Sequence, residues 1–196
     1  AIDEWTVPAA KQTVEKTLFR VYDRLVVDLA TRAQAEDDPR LARRARGLFR
    51  LLEDRLAGRN TPGIAIIEAE LTGDPTQIDP EVIRRELDVA WAKRTRRYAT
   101  LALEEGTLGA PAGHTGAHEG RTYAKVILPA MEAALEGFDG AAHLAQWDAW
   151  IQAIVDDDPL AAQTASDALV APLCEYQAAL GIAACTGTED EPAAGG

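Results

Sequence analysis

Apolar residues recur three and four positions apart along most of this chain, the period of helices that each bury one face. Over residues 8–36 the row is Val14, Leu18, Val21, Tyr22, Leu25, Val26 and Leu29, with Pro8 where a first-turn proline belongs. This predicts one long helix with that row turned inward. The acidic turn Glu36-Asp37-Asp38-Pro39 leads into a second helix over about 39–58, with Leu41, Ala45, Leu48, Leu52 and Leu56 inward and an arginine-rich opposite face. Gly58 and Asn60 stop it. Residues 61–78 fit a short helix through Ile64, Ile67 and Leu71 better than a strand through Ile64, Ile66 and Glu68.

Asp79-Pro80 and Asp158-Pro159 both read as an aspartate cap followed by proline at the first helical position. They open helices over about 80–105, with Val82, Ile83, Leu87, Trp91, Tyr98, Leu101 and Ala102 inward, and about 159–180. Asp139 caps another over 140–156, whose stripe is Leu144, Trp147, Ile151 and Ile154. A helix over 118–136 contains Pro129, and the last contains Pro172, so both are expected to kink. Between Gly106 and Ala117 the run of glycines with Pro111 predicts a functional loop. The sum is an all-α fold: an antiparallel bundle of about six helices, two of them proline-kinked, forming a single domain over 1–185 with a C-terminal tail at 186–196.

Composition sharpens this. A chain of 196 residues buries roughly 70% of its extended surface on folding, so a core forms without staples. The net charge of −12 repels phosphate backbones, which argues against nucleic acid and for cations as counter-species. No run of about 18 apolar residues occurs, so no membrane insertion is expected. Cys174 and Cys185 flank a turn at Gly181, placed for a disulfide if the compartment is oxidising and as two buried thiols otherwise. The opening at Ala1 without methionine is expected of a mature chain freed of a signal peptide, or of a trimmed one.

Chemistry centres on three histidines. His114 and His118, with Glu119, make a His-x-x-x-His-Glu grouping whose imidazoles and carboxylate suit zinc or iron. Gly116 between them argues against a shared helical face, and capping of the next helix by His118 and Glu119 is the plainer reading of the pair alone. His143 reads as an aromatic neighbour of Trp147, four positions on, and the four tryptophans as core or rim. Glu68 and Glu70 follow the apolar run at 64–67 and are candidate carboxylates for the same site. The acidic clusters at 36–38, 156–158 and 189–191 read as solvated turns or tail. No Glu-x-x-His, His-Glu-x-x-His, Gly-x-Ser-x-Gly, phosphate loop or haem attachment motif occurs, so no catalytic residue is assigned.

The segment Arg97-Tyr98-Ala99, then His118-Glu119-Gly120 followed by Tyr123 and Ile127-Leu128-Pro129, then Ala179-Leu180-Gly181-Ile182, resembles the algal iron-assimilating, high-CO2-inducible periplasmic proteins and their bacterial relatives. The likeness covers roughly the C-terminal half. It implies an exported, periplasmic or secreted helical protein that binds or hands on iron within an uptake system, with His118, Glu119 and Tyr123 at matched positions. Imelysin-like proteins share a Gly-x-His-x-x-Glu motif; here Gly116-Ala117-His118 fits and Arg121 stands where the glutamate belongs. Three functions follow as expectations. The first is an iron-linked binding protein, with zinc as the alternative metal, using His114, His118, Glu119, Tyr123 and Glu68 or Glu70. The second is a metal-free ligand-binding or protein-interaction module. The third is a metal-dependent enzyme at the His118/Glu119 loop.

Overall fold

A computed structural model describes residues 4–183 and Cys185; the tail expected at 186–196 lies outside the described residues. The chain is all-α. Among the described residues the helices are α1 (Thr6–Glu36), α2 (Pro39–Leu56), α3 (Thr61–Thr72), α4 (Pro80–Glu104), α5 (Pro111–Ala134), α6 (Gly140–Val155) and α7 (Pro159–Ala179), with a 3-10 turn over Pro75–Gln77 and no strand. The seventh helix comes from 61–72, where Asn60 caps the start by accepting from the Gly63 N–H at 3.2 Å. Pro129 and Pro172 lie inside continuous helices.

Contacts gather the chain into two compact units, divided inside α1 after Thr17 and inside α4 after Trp91. One holds the start of α1, the end of α4 and α5–α7; the other holds the rest of α1, α2, α3 and the start of α4. In the first, α6 packs on both α5 and α7. In the second, α2 packs on α3.

Aspartates open the helices as the sequence predicts. Asp38 Oδ1 accepts from the Arg40 N–H at 2.7 Å, and Asp79 Oδ1 from the Glu81 and Val82 N–H groups at 2.9 and 3.3 Å. Asp139 and Asp158 each take two backbone N–H groups of the first turn. Such a cap contributes about 1 kcal/mol. The clusters at 36–38 and 156–158 are turns, each passing through a left-handed residue, Asp37 (φ 49°) and Asp157 (φ 52°).

Two expectations fail. Only the end of the apolar row of α1 faces inward: Val26 and Leu29 are buried, whereas Val14, Leu18, Val21 and Leu25 are 66%, 47%, 45% and 39% exposed. The buried face carries Ala9, Phe19, Val26, Leu29, Ala30 and Ala33 together with Lys16 and Asp23. Both charges are buried because each is answered. Lys16 Nζ lies 3.1 Å from Glu15 and 4.0 Å from Glu119. Asp23 accepts from Arg84 and from the Trp91 indole N–H, each at 2.9 Å. A hydropathy pattern assigns such residues to solvent because it cannot see their partners.

The second failure is the loop. Helix α5 begins at Pro111, so the connection shrinks to residues 105–110 and both His114 and His118 are helical. Pro111 sits at the first helical position, where its fixed φ suits the start. Gly113 and Gly120 of α5 serve close packing. A Cβ on Gly113 would collide with the Thr107 carbonyl, and one on Gly120 would lie 2.5 Å from both the Trp147 ring and Tyr98 Cβ.

Cys174 and Cys185 are disulfide-bonded, with Cα atoms 5.2 Å apart. The buried Arg96 donates to the Cys185 carbonyl at 3.2 Å, a second tie on the segment after α7. Reduction is expected to lower the unfolding free energy by about 2 kcal/mol through the unfolded chain's regained freedom. Urea melts with and without a reductant measure it; superimposed curves would show that the bond contributes nothing.

Candidate functional site

The extended α5 changes what its side chains can do together. His114 and His118 are four positions apart, hence on one face. Their Nε2 atoms are 3.1 Å apart and the rings meet edge to face at 4.5 Å. Trp5 packs its ring against His114 at 5.5 Å. Metal–nitrogen bonds of about 2.05 Å would set two ligating nitrogens about 2.9 Å apart at a right angle and about 3.3 Å apart in a tetrahedron. The observed separation falls between these, the spacing that a shared metal would require of the two nitrogens. It equally suits one imidazole N–H donating to the other. Burial, the neighbouring His114 and Arg121 all push the His118 pKa below its ordinary value, while Asp148 opposes them. His118 is therefore a neutral ligand or acceptor at neutral pH.

Glu119 belongs to a different face. Its Oε2 accepts from the Tyr98 hydroxyl at 2.6 Å, and its Oε1 lies 4.0 Å from Lys16 Nζ. Burial and that hydrogen bond to a carboxylate raise the Tyr98 pKa, so the phenol keeps its proton. Tyr123 is fully buried, stacked on Tyr98 at 5.7 Å, with the Arg94 guanidinium over its face at 5.3 Å. Glu119 and Tyr123 thus tie α5 to α4 and to the start of α1. Glu68 and Glu70 are also occupied: Glu68 by Arg46 at 2.6 Å and Arg50 at 3.5 Å, and Glu70 by the Asp79 N–H at 2.7 Å.

Of the six residues singled out from sequence, the structure joins His114 to His118 and, separately, Glu119 to Tyr123 through Tyr98. Among the described residues no three His, Cys, Asp or Glu side chains stand grouped to hold a metal ion. Residues the sequence reading missed are Trp5, Lys16, Tyr98, Arg121 and Asp148. Arg121 lies three positions beyond His118 and clasps Asp148 of α6 with two bonds, Nε–Oδ1 2.7 Å and Nη2–Oδ2 3.1 Å. Its spacing from the histidines was legible once the helix was carried back to Pro111. Asp148, on another helix, left no local signal.

Among the described residues, no helix is long and apolar enough to cross a membrane. No protein-family model, curated protein or solved structure matches this chain.

Proposed function

We propose that this is a metal-linked binding protein that takes a divalent transition metal at the His114–His118 pair, with ferrous iron as cargo and zinc as competitor. The observation that supports it is the 3.1 Å separation of the two Nε2 atoms on successive turns of one helix. Imidazole suits both metals, and the net charge of −12 raises the local concentration of cations. Iron is favoured over other metals by the resemblance carried by His118-Glu119-Gly120 and Ile127-Leu128-Pro129. Export to the periplasm or cell surface is part of the proposal, and the Cys174–Cys185 bond is in keeping with it. Handing the metal to a protein of an uptake system is the corresponding role.

A metal-free interaction module is the second reading, in which the 3.1 Å contact is one imidazole N–H donating to the other. Anaerobic calorimetry with Fe(II), and separately Zn(II), on the wild type, His114→Ala and His118→Ala decides between them. The proposal expects either substitution to weaken binding about tenfold or more. It also expects binding to fade on acidification, with the loss at His118 setting in below the ordinary imidazole value because its pKa is lowered. Absence of binding in all three proteins would leave the metal-free reading, and equal affinity in all three would put the metal away from this histidine pair.

A further inference from the structure

We infer that α1 pairs antiparallel with α1 of a second copy of this chain, along the apolar row that stands exposed on it. Val7, Val14, Leu18, Val21 and Leu25 are all exposed on this one unbroken helix. Single exposed apolar residues need no explanation, but these form one continuous row, and such a row marks an interaction surface. Steps of four and three alternate from Val14 to Leu25, and Val7, Val14 and Val21 recur every seven residues. A seven-residue repeat is the one by which two helices wind round each other and keep a single seam in contact. In heptad terms Leu18 and Leu25 take the a positions, and Val7, Val14 and Val21 the d positions. The inference is independent of the metal reading, because neither histidine of the pair lies on α1.

Charge selects both the occupant and its direction. The same stripe carries Lys11 at an a position and Asp28 at a d position, both exposed. A second copy running the same way would set Lys11 on Lys11 and Asp28 on Asp28, and like charges so placed oppose association. It would also alternate Leu–Leu with Val–Val layers. Running the opposite way, with the two-fold axis between Leu18 and Val21, it brings a positions against d positions. Leu18 then meets Val21 of the second copy and Leu25 meets its Val14, so each of these layers holds one larger and one smaller side chain. One layer further out at either end, Lys11 meets Asp28. The row is thus complementary to itself when reversed, which is the isologous pairing of a two-fold dimer. Residues 186–196 contain no large apolar side chain to lay on it. An anionic lipid surface is a poor occupant for a chain of net charge −12.

Sedimentation velocity on the full chain, from about 1 to about 300 μM, should show the mass rise from 21.1 kDa towards twice that value. Leu18→Glu puts a carboxylate into both central layers and should weaken association about a hundredfold or more. Charge swaps test the direction while altering only exposed side chains. Lys11→Glu and Asp28→Lys should each weaken self-association about tenfold, since each sets like charges together at both ends of the seam. The double variant Lys11→Glu/Asp28→Lys should regain the wild-type constant. An equimolar mixture of the two single variants should also associate as the wild type does, because the new glutamate of one faces the new lysine of the other. A wild type that stays monomeric throughout overturns the inference, as does a dimer indifferent to Leu18→Glu. Failure of both the mixture and the double variant to recover association overturns it too, since the copies then do not meet in this register.

Discussion

Lowering the pH from 7 to 4 is expected to cost this fold on the order of 3 kcal/mol through His143 alone. The residue is 3% exposed on α6, and burial holds its pKa down at about 4 against an ordinary 6.5. Its Nε2 accepts the Trp147 indole N–H at 3.3 Å, which requires that nitrogen to be unprotonated. Phe138 covers another side of the ring at 5.4 Å. Above pH 6.5 the imidazole is neutral in both folded and unfolded chains and the term vanishes from the pH dependence. Between 6.5 and 4 the unfolded chain takes up a proton that the folded one refuses, so stability falls by about 1.4 kcal/mol per pH unit. Below 4 both states are protonated and the loss is complete. Urea titrations across this range on wild type and His143→Phe measure the term by difference. Parallel pH profiles for the two proteins would refute it.

The replacement Gly120→Ala is expected to destabilise by about 3 kcal/mol, an overpacking effect. The added carbon would lie 2.5 Å from Cζ3 and Cη2 of Trp147 and from Cβ of Tyr98. None of these is the end of a flexible chain: Trp147 is fully buried and Tyr98 Cβ is fixed to the backbone of α4. Relief requires α5 to move away from its neighbours. Gly116→Ala is the internal control. There the added carbon finds Leu101 at 3.5 Å and Tyr98 at 3.7 Å, ordinary contacts, and the helix gains propensity. It should leave stability unchanged or raise it by up to about 1 kcal/mol. Equal melting temperatures for the two variants would show that the seam at Gly120 is looser than its geometry implies.

These glycines also explain why the fold was more legible than the site. The helix starts are readable because an aspartate cap, with or without a following proline, is a local signal, and Asp79, Asp139 and Asp158 all cap as the sequence predicts. His143 against Trp147 was readable for the same reason, being a contact within one helix. Helix α5 was misread at its start because glycine marks both a turn and a place where another chain segment comes close, and composition does not tell these apart. A loop at Gly116 would remove the shared face of His114 and His118, which the helix restores. The inner face of α1 was misread because burial of Lys16 and Asp23 depends on Glu119, Arg84 and Trp91, all more than sixty positions away. The clasp of Arg121 on Asp148, 27 positions apart across two helices, lies beyond any periodicity argument.

The division of α5 into two faces has an evolutionary consequence. Gly113, Ala117, Gly120 and Ala124 lie along its buried side, and changes there disturb the packing of whole helices. His114, His118 and Arg121 lie along a half-buried side, where their neighbours are one another and the side chains of Trp5 and Asp148. Selection can therefore rewrite the chemistry of this protein one residue at a time while the scaffold stays constant. Under the proposed metal reading, a descendant with other donors at 114 and 118 would keep the same helix packing and serve a different ligand.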